Sequence, residues 1–349
     1  MNEPKVSIII PTLRIGKMLR EAIPHYEKLD YSNFEIIIVV SREYYAEEHL
    51  SDKLRIRIIP GPLAINEKVQ VGVEASDGEI IALTDDDAYP RSDWLKNAVN
   101  IILKDESIGA VGGPGLIPPD EPFWSRISGN IHASFVMSGS ARKRIIPTSN
   151  KEHFDDELTG VNMVMRKSVF NEIGGYKDTF GFYSGEDTLL CRKIRMNGYK
   201  LVYSPNVVVF HHRRKLFFDH FKQLSNWAFH RGLYSKIFPE NSRKIQHFLP
   251  SIFLFGVVIG GILSTLSNII MYIYLSVLGL YFSLAIISSL KPNPLETLLT
   301  TIGIFFSHLV YGIYFIKGLL YTKEKYLHNK SREKRHKKLL TQDRFRKIN

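Results

Sequence analysis

Apolar runs of strand length alternate with helical repeats along the first part of the chain. Strand followed by helix in turn predicts a mostly parallel sheet with helices on both faces, which is an α/β fold. The predicted strands are Val6–Ile10, Phe34–Val40, Ile56–Ile59 and Glu79–Thr84, and the predicted helices are 16–29 and Glu67–Ala75.

Long uncharged apolar stretches follow in the last third of the chain. Residues 248–290 form 43 consecutive positions without Asp, Glu, Lys or Arg, too many for one bilayer crossing and suited to two of about 20 residues. Another uncharged stretch covers 297–316. We therefore predict C-terminal transmembrane segments at about 248–266, 269–290 and 297–316; the alternative is a buried helical core.

Basic residues flank these segments on both sides. Residues 213–247 carry eight Lys or Arg against two acids, and residues 317–349 carry twelve against three. Both flanks are expected on the cytoplasmic side, which requires an even number of crossings. Three full crossings conflict with this requirement, so either one segment is re-entrant or interfacial, or the rule fails here.

The same charge distribution predicts the partners of the chain. Residues 1–212 have a slightly acidic balance, although the whole chain carries +11. A nucleic-acid-binding protein is expected to carry its positive charge on the folded domain, so we expect no nucleic-acid partner. Basic stretches beside membrane segments are instead expected to attract anionic membrane lipids.

These patterns predict four regions. They are an α/β domain over 1–212, a basic amphipathic juxtamembrane segment over 213–247, membrane segments over 248–317, and a basic tail over 318–349. Within the second region an apolar stripe at helical spacing predicts either an in-plane amphipathic helix or a helix that caps the domain. The stripe consists of Phe217, Phe221, Leu224 and Ala228.

Cys191 is the only cysteine, which excludes an internal disulfide and favours a reducing compartment, so the domain is expected to be cytoplasmic.

The predicted strand Glu79–Thr84 ends in three aspartates, Asp85, Asp86 and Asp87. Open α/β sheets bind ligands at the carboxyl ends of their strands. Clustered carboxylates repel one another unless a cation lies between them, and hard oxygen ligands suit Mg²⁺ or Mn²⁺. The triplet therefore predicts a divalent metal that holds a diphosphate; a solvated acidic turn is the alternative.

A second acidic pair, Glu186 and Asp187, follows Phe182–Gly185 and begins a predicted helix. The helix dipole favours carboxylates in the first turn and is expected to keep them ionised, as a general base requires. Simple N-terminal capping is the alternative. The stretch Pro205–His212 predicts a strand that ends in two histidines, where a metal ligand or a chance placement is equally plausible.

Taken in order, these motifs resemble glycosyltransferase family 2, enzymes with a GT-A-type nucleotide-sugar-binding domain that transfer sugars with inversion. The resemblance covers about residues 4–235. It is carried by Val6–Thr12, by Gly72–Glu79 leading into Asp85–Asp87, by Thr159–Arg166, by Gly185–Asp187, and by Gly198–His211.

The resemblance implies a role for each matching residue. Asp87 and Asp85 would ligate the Mg²⁺ or Mn²⁺, with His211 as a further ligand, and Asp187 would be the catalytic base, supported by Glu186. The donor, a UDP- or GDP-sugar, would be held by the remaining matched positions. These are Pro11, Thr12, Ser41, Asp85, Asp86, Arg213 and Arg214.

Two departures from the family pattern bear on specificity. Relatives often place paired acids after the second strand, whereas this chain has Ser41 and Arg42 there, which leaves recognition of the base open. The QxxRW motif of processive enzymes keeps Gln223 and Trp227 but has Asn226 in place of Arg. We therefore predict that one sugar is added per encounter.

The membrane segments suggest the acceptor, since a nucleotide-sugar is soluble. A polyprenyl phosphate or a lipid-linked glycan would present its head group at the membrane surface, and the basic stretch from Arg213 to Lys244 is a candidate for binding its phosphates. The predicted function is thus transfer of one sugar to a lipid-linked acceptor in cell-envelope glycan or glycoprotein biosynthesis, by a multi-pass membrane enzyme. A catalytically degenerate membrane scaffold is the alternative.

Overall fold

The structure is a computed structural model that describes residues 3–177, 185–322 and 324–326, with only the backbone described at Asn241. Phe182, Tyr183 and Ser184 lie outside the described residues, as does most of the basic tail. Eleven strands are found in this part of the chain. They are β1 (Val6–Thr12), β2 (Phe34–Ser41), β3 (Ile56–Gly61), β4 (Ile80–Leu83), β5 (Ala88–Pro90), β6 (Ile108–Gly112), β7 (Gly115–Leu116), β8 (His153–Asp155), β9 (Met163–Arg166), β10 (Lys200–Tyr203) and β11 (Val209–His211).

Helices connect these strands and form the last third of the described chain. They are α1 (Lys17–Tyr26), α2 (Ile65–Glu74), α3 (Trp94–Ile102), α4 (Phe123–Ala133), α5 (Phe135–Ser138), α6 (Lys167–Glu172), α7 (Glu186–Met196), α8 (Phe218–Ile237), α9 (Pro239–Ser242), α10 (Leu249–Leu263), α11 (Asn268–Ser289) and α12 (Pro294–Leu320).

The main sheet has eight strands in the order β3-β2-β1-β4-β9-β6-β10-β8. Strands β3, β2, β1 and β4 are parallel to one another, and β9 runs antiparallel between β4 and β6. The mostly parallel α/β sheet predicted from the sequence is confirmed. Because β1 and β4 are parallel neighbours, their carboxyl ends bring Thr12 and Asp85 to the same edge.

Alternate side chains of each strand pack on opposite faces of this sheet. Ile8 and Ile10 of β1 join one buried cluster with α1 and α3, while Ile9 joins the other with α2 and α7. Burial on both faces explains why these strands are continuous apolar runs rather than alternating ones.

A small second sheet has the order β5-β11-β7 and lies next to Asp87 in sequence. Strand β11 is antiparallel to β5, with His211 opposite Ala88 and Val209 opposite Pro90. A strand was predicted over Pro205–His212, and the observed strand covers only Val209–His211. Its register places His211 beside the residue that directly follows Asp87.

Packing divides the chain into two compact units. Unit 1 comprises residues 1–221 and 275–306, and unit 2 comprises residues 222–274 and 307–349. Unit 1 therefore includes the α/β fold together with parts of α11 and α12, and the linear division into four regions stays a prediction.

Apolar helices occupy all three predicted membrane segments. In the described part of the chain, α11 and α12 are long and apolar enough to cross a bilayer, while α10 has only 15 residues. In the predicted amphipathic stripe, Leu224 and Ala228 of α8 are buried.

Candidate active site

The carboxyl end of β4 brings together three side chains that can bind a metal. One ligand atom each from Asp85, Asp87 and His211 lies within 4.8 Å of the others. The antiparallel pairing of β11 with β5 produces this convergence, because His211 is paired with Ala88. The two carboxylates suit Mg²⁺ or Mn²⁺, and an added imidazole favours a transition metal such as Mn²⁺ over Mg²⁺.

Asp87 lies beside two arginines and a histidine that can donate a hydrogen bond. Its Oδ1 lies 3.2 Å from Nε2 of His211, and its Oδ2 lies 3.2 Å from a guanidinium nitrogen of Arg214. Burial alone would raise the pKa of Asp87, but His211, Arg214 and Arg213 outweigh it and lower the pKa to about 2. This carboxylate is therefore ionised at every physiological pH.

Asp85 has the opposite electrostatic environment. Burial raises its pKa well above the usual value, and Asp87 and Asp86 raise it further. Glu186 and Asp187 also contribute to this rise, so the two acidic motifs of the sequence act on one site. A bound cation would offset this repulsion.

Arg213 controls the hydrogen-bonding state of His211. Its Nη1 lies 3.2 Å from Nδ1 of His211. A guanidinium only donates hydrogen bonds, so Nδ1 accepts, and the proton of the neutral ring is on Nε2, which faces Asp87. His211 therefore donates to Asp87 in this arrangement. To ligate a metal through Nε2, the ring would have to carry its proton on Nδ1 instead. Arg213 would then have to give up its hydrogen bond to Nδ1.

Arg213 is itself held by several polar contacts. Its guanidinium donates to the Gly115 carbonyl, and its backbone N–H donates to Glu121 at 2.7 Å. Glu121 also contacts Nδ1 of His212 at 2.6 Å. A Cβ at Gly129 would lie 2.5 Å from Cδ1 of Ile117 and 3.3 Å from Cγ of Arg213, so the glycine leaves room for both side chains. The sequence gives no signal that Glu121 belongs to the site.

The predicted donor-binding residues line the neighbouring strand ends. Thr12 donates a hydrogen bond to Asp86. Pro11 is buried within β1, and Ser41, at the end of β2, is buried with no hydrogen-bond partner for its hydroxyl among the described atoms. Lys68 of α2 was not expected here: it is 2% exposed, and burial lowers its pKa to about 8 although Asp86 opposes the shift.

Glu186 and Asp187 form the first turn of α7, as predicted. The backbone N–H of Gly160 lies 3.4 Å from Oδ2 of Asp187, and the N–H of Thr188 donates to Oδ1 at 2.8 Å. Burial and the charge of Asp187 raise the pKa of Glu186 to about 7. At Glu186, burial and the charge of Asp187 thus oppose the helix dipole, which the sequence alone did not indicate.

A cleft of about 290 Å³ opens beside the aspartates. Arg14 of the loop after β1 and Lys17 at the start of α1 line it, and neither was predicted as a site residue. The charged residues of its lining are Arg14, Lys17, Asp86, Asp87 and Arg214.

Comparisons with known proteins define the class. Residues 4–230 match the model of the glycosyltransferase like family 2, and the chain belongs to this family. The predicted family and the predicted class of enzyme, a glycosyltransferase, are thereby confirmed.

Particular relatives are distant. The chain is 26% identical over 176 residues to a pre-mycofactocin glycosyltransferase of Mycobacterium tuberculosis, covering 50% of this chain and 33% of that one. It also spans only 24% of protein y4gI of Sinorhizobium fredii. With a glucosyl-dolichyl phosphate glucuronosyltransferase of Haloferax volcanii it shares 24% identity over 286 residues, 73% of this chain and 85% of that one.

A solved structure supports the fold. The mannosyltransferase PcManGT from Pyrobaculum calidifontis, determined with GDP-Man and Mn²⁺, matches with a TM-score of 0.62 over 92% of this chain and 88% of its own. At 18% identity, this similarity establishes the GT-A-type fold alone.

Proposed function

We propose that this chain is a metal-dependent inverting glycosyltransferase that moves one sugar from a nucleotide-sugar to a lipid-linked acceptor at a membrane. The observation that carries the proposal is the single electrostatic site in which Asp85, Asp87 and His211 converge and which Glu186 and Asp187 also influence. The side with Asp85, Asp87 and His211 suits a metal and a diphosphate. The side with Glu186 and Asp187 suits proton removal from an acceptor.

Asp85 and Asp87 would hold the metal, and His211 would join them once Arg213 releases its ring. A bound Mg²⁺ or Mn²⁺ would neutralise charge on the departing diphosphate. Arg214, which lies exposed beside Asp87, is the protein group best placed to meet a diphosphate oxygen. Arg213 is a second candidate for this contact.

The donor base and ribose would lie against Pro11, Thr12, Ser41 and Asp86. With Ser41 in place of a carboxylate, both UDP- and GDP-sugars remain candidate donors, and Lys68 of α2, which interacts electrostatically with Asp86, is a further candidate contact. The solved relative is complexed with GDP-Man, which supports a nucleoside diphosphate sugar as the donor class.

Asp187 would accept the proton of an acceptor hydroxyl as its oxygen attacks the anomeric carbon opposite the diphosphate. The new glycosidic bond forms as the bond to the diphosphate breaks, and Glu186 would support the base. The Haloferax relative is described as acting on glucosyl-dolichyl phosphate, which supports a sugar hydroxyl of a lipid-linked glycan as acceptor. Polyprenyl phosphate is the alternative.

A lipid-linked acceptor also explains the apolar helices. We place the enzyme in the cell membrane with residues 1–212 as its cytoplasmic catalytic domain and the basic stretches against anionic lipids. The segment Arg213–Lys244 was a candidate for the acceptor phosphates. Arg213 and Arg214 contact His211 and Asp87 instead, so the donor side suits them better.

Release of nucleoside diphosphate by detergent-purified protein tests the proposal. Each UDP- or GDP-sugar is offered with polyprenyl phosphate or a lipid-linked glycan, with and without Mn²⁺. We expect release that requires metal and lipid and that, with the lipid-linked glycan as acceptor, is lost in Asp187→Asn. Asp52→Asn is the matched control, because the Asp52 side chain is 95% exposed. Donor binding without turnover by any acceptor would favour a scaffold.

A further inference from the structure

Helix α12 has two chemically different faces along its whole length. Large apolar side chains at helical spacing form one exposed stripe, with exposures between 45 and 80%. The opposite face is buried and rich in polar or small residues, including Glu296, Thr300, Ser307 and His308. The exposed stripe contains Leu295, Leu298, Phe306, Ile313 and Leu320.

In unit 1, the first half of α12 is bound to the α/β fold. Glu296 accepts a 2.8 Å hydrogen bond from Arg126 of α4. Ile304 is buried with Ile127 of α4 and Leu216, and a Cβ at Gly303 would collide with Ile131. This half therefore packs closely on a charged helix of the catalytic fold.

In unit 2, the second half of α12 packs on α8. Added Cβ atoms at Gly232 and Gly318 would collide with the backbone of the other helix, so the two helices approach closely. Lys236 of α8 donates to the carbonyl of Tyr321, directly after α12. Because α8 carries charges at Asp219, Lys222, Arg231 and Lys236, it cannot cross a bilayer.

Helices α10 and α11 have a different character. In the most apolar 18 residues of α11, only 6% of the positions are buried. Its later turns belong to unit 1, where Tyr281 packs against the buried cluster that includes Ile127 and Ile131, and the Ser288 hydroxyl lies 2.8 Å from that of Ser134. At 1.5 Å per residue α11 is about 33 Å long, the thickness of a hydrocarbon core. Within unit 2, Tyr274 of α11 donates to the carbonyl of Val257 at 3.2 Å, so the first turns of α11 pack on α10, from which only four residues separate them.

We infer that α12 lies in the plane of the membrane interface, with its apolar stripe in the headgroup and acyl-chain boundary, and that only α10 and α11 cross the bilayer. An amphipathic helix with one apolar face binds a bilayer surface in this way. If α12 crossed the bilayer, Arg126, which is hydrogen-bonded to its first half, and the charged helix α8, which packs on its second half, would also lie in the hydrocarbon. The inference rests on membrane association but not on the transferase activity.

The charge pattern supports the same arrangement independently. With two crossings, the basic stretches before α10 and after α11 lie on one side of the membrane, as basic flanks require. Helix α10 is short, about 22 Å, but the uncharged run extends from Phe248 through Leu266, and bilayers adapt to modest mismatch.

Cysteine labelling tests this topology. Single cysteines are introduced by Ser267→Cys between α10 and α11, Asn293→Cys between α11 and α12, and Thr322→Cys after α12. Cells expressing each full-length variant are treated with a membrane-impermeant maleimide before and after permeabilisation. Wild type is the background control, because Cys191 is buried and burial raises its pKa.

We expect Ser267→Cys to be labelled from one side and both Asn293→Cys and Thr322→Cys from the other. Labelling of Thr322→Cys from the side opposite Asn293→Cys would show that α12 crosses and would overturn the inference. Labelling of all three from one side would exclude crossing by α10 and α11 and also overturn it. A fluorescent protein fused after Asn349 provides a second readout without cysteine, because it fluoresces only on the cytoplasmic side. We expect fluorescence, and its absence would indicate a third crossing and overturn the inference.

Discussion

The two acidic motifs of the site are built for opposite tasks. At the end of β4, Asp87 has His211 and Arg214 within 3.2 Å and a pKa of about 2. At the start of α7, Glu186 has the negative charge of Asp187 as its neighbour and a pKa of about 7. The same type of side chain is therefore held ionised in one place and readily protonated in the other.

The difference lies in the surrounding elements. His211 of strand β11 supplies a hydrogen-bond donor to Asp87, and Arg213 and Arg214 after the strand supply positive charge, whereas the charge that acts on Glu186 is the negative charge of Asp187. A metal and a diphosphate need permanent charge at Asp87, whereas proton removal is proposed for Asp187, whose neighbour Glu186 is readily protonated. The contrast predicts which variants lose metal binding and which change only proton chemistry.

The largest effect is expected for Asp87→Asn. Loss of this ionised ligand should reduce turnover on the order of 10³-fold, since a metal ion supplies several kcal/mol of charge stabilisation. Mn²⁺ titration followed by electron paramagnetic resonance should show weakened binding in the same variant. The exposed Asp120→Asn is the control. Unchanged Mn²⁺ affinity in Asp87→Asn would contradict the assignment.

Asp187→Asn should leave Mn²⁺ and donor binding intact and reduce turnover by roughly 10²–10⁴-fold, the contribution of a general base. This loss is expected for a sugar hydroxyl, which must surrender a proton. A polyprenyl phosphate is already ionised near neutral pH, so its transfer should depend much less on Asp187. Comparing single-turnover rates for both acceptors in wild type and variant separates the two.

Much of the fold was predictable because its signals are local. Continuous apolar runs such as those of β1 and β2 indicate strands buried on both faces, and the run that ends in Asp85–Asp87 indicates the ligand-binding edge. The position of Glu186 and Asp187 in the first turn of a helix also follows from local sequence.

Contacts that depend on distant pairing were not predictable. The pairing of His211 with Ala88 requires the register of β11 on β5. The burial of Arg213 requires Gly129 of α4 and Gly115 of β7 to be near it. Similarly, the hydropathy of α12 suggests a crossing, and only its contacts with α4 and α8 reveal a helix whose polar face is covered by protein.

Glu186→Gln should stabilise the protein at high pH. Because the pKa rises from 4.5 to about 7 on folding, ionising Glu186 destabilises the folded state, with no effect below pH 4.5 and the full effect above 7. The variant should therefore be more stable than wild type by about 3 kcal/mol at pH 8, and the gain should vanish towards pH 4.5. Thermal unfolding in detergent at several pH values measures it, with the exposed Glu106→Gln as control. A gain independent of pH would contradict the buried-acid explanation.

The smallest effect concerns Arg213, which fixes the proton of His211 on Nε2. Removing its guanidinium in Arg213→Met frees Nδ1 to carry the proton, so that Nε2 can face a metal with its lone pair. We expect Mn²⁺ affinity without nucleotide to rise about tenfold, the scale of changes at groups that orient metal ligands.

A second substitution, His211→Gln, provides the control. Introduced alone into wild type it should change Mn²⁺ affinity little, whereas in the Arg213→Met background it should reverse the gain. Equal loss of affinity on adding His211→Gln to either background would mean that His211 ligates the metal regardless of Arg213. In that case the cations around Asp87 would contribute only charge, and control of the histidine proton would play no part in the contrast between the two acidic motifs.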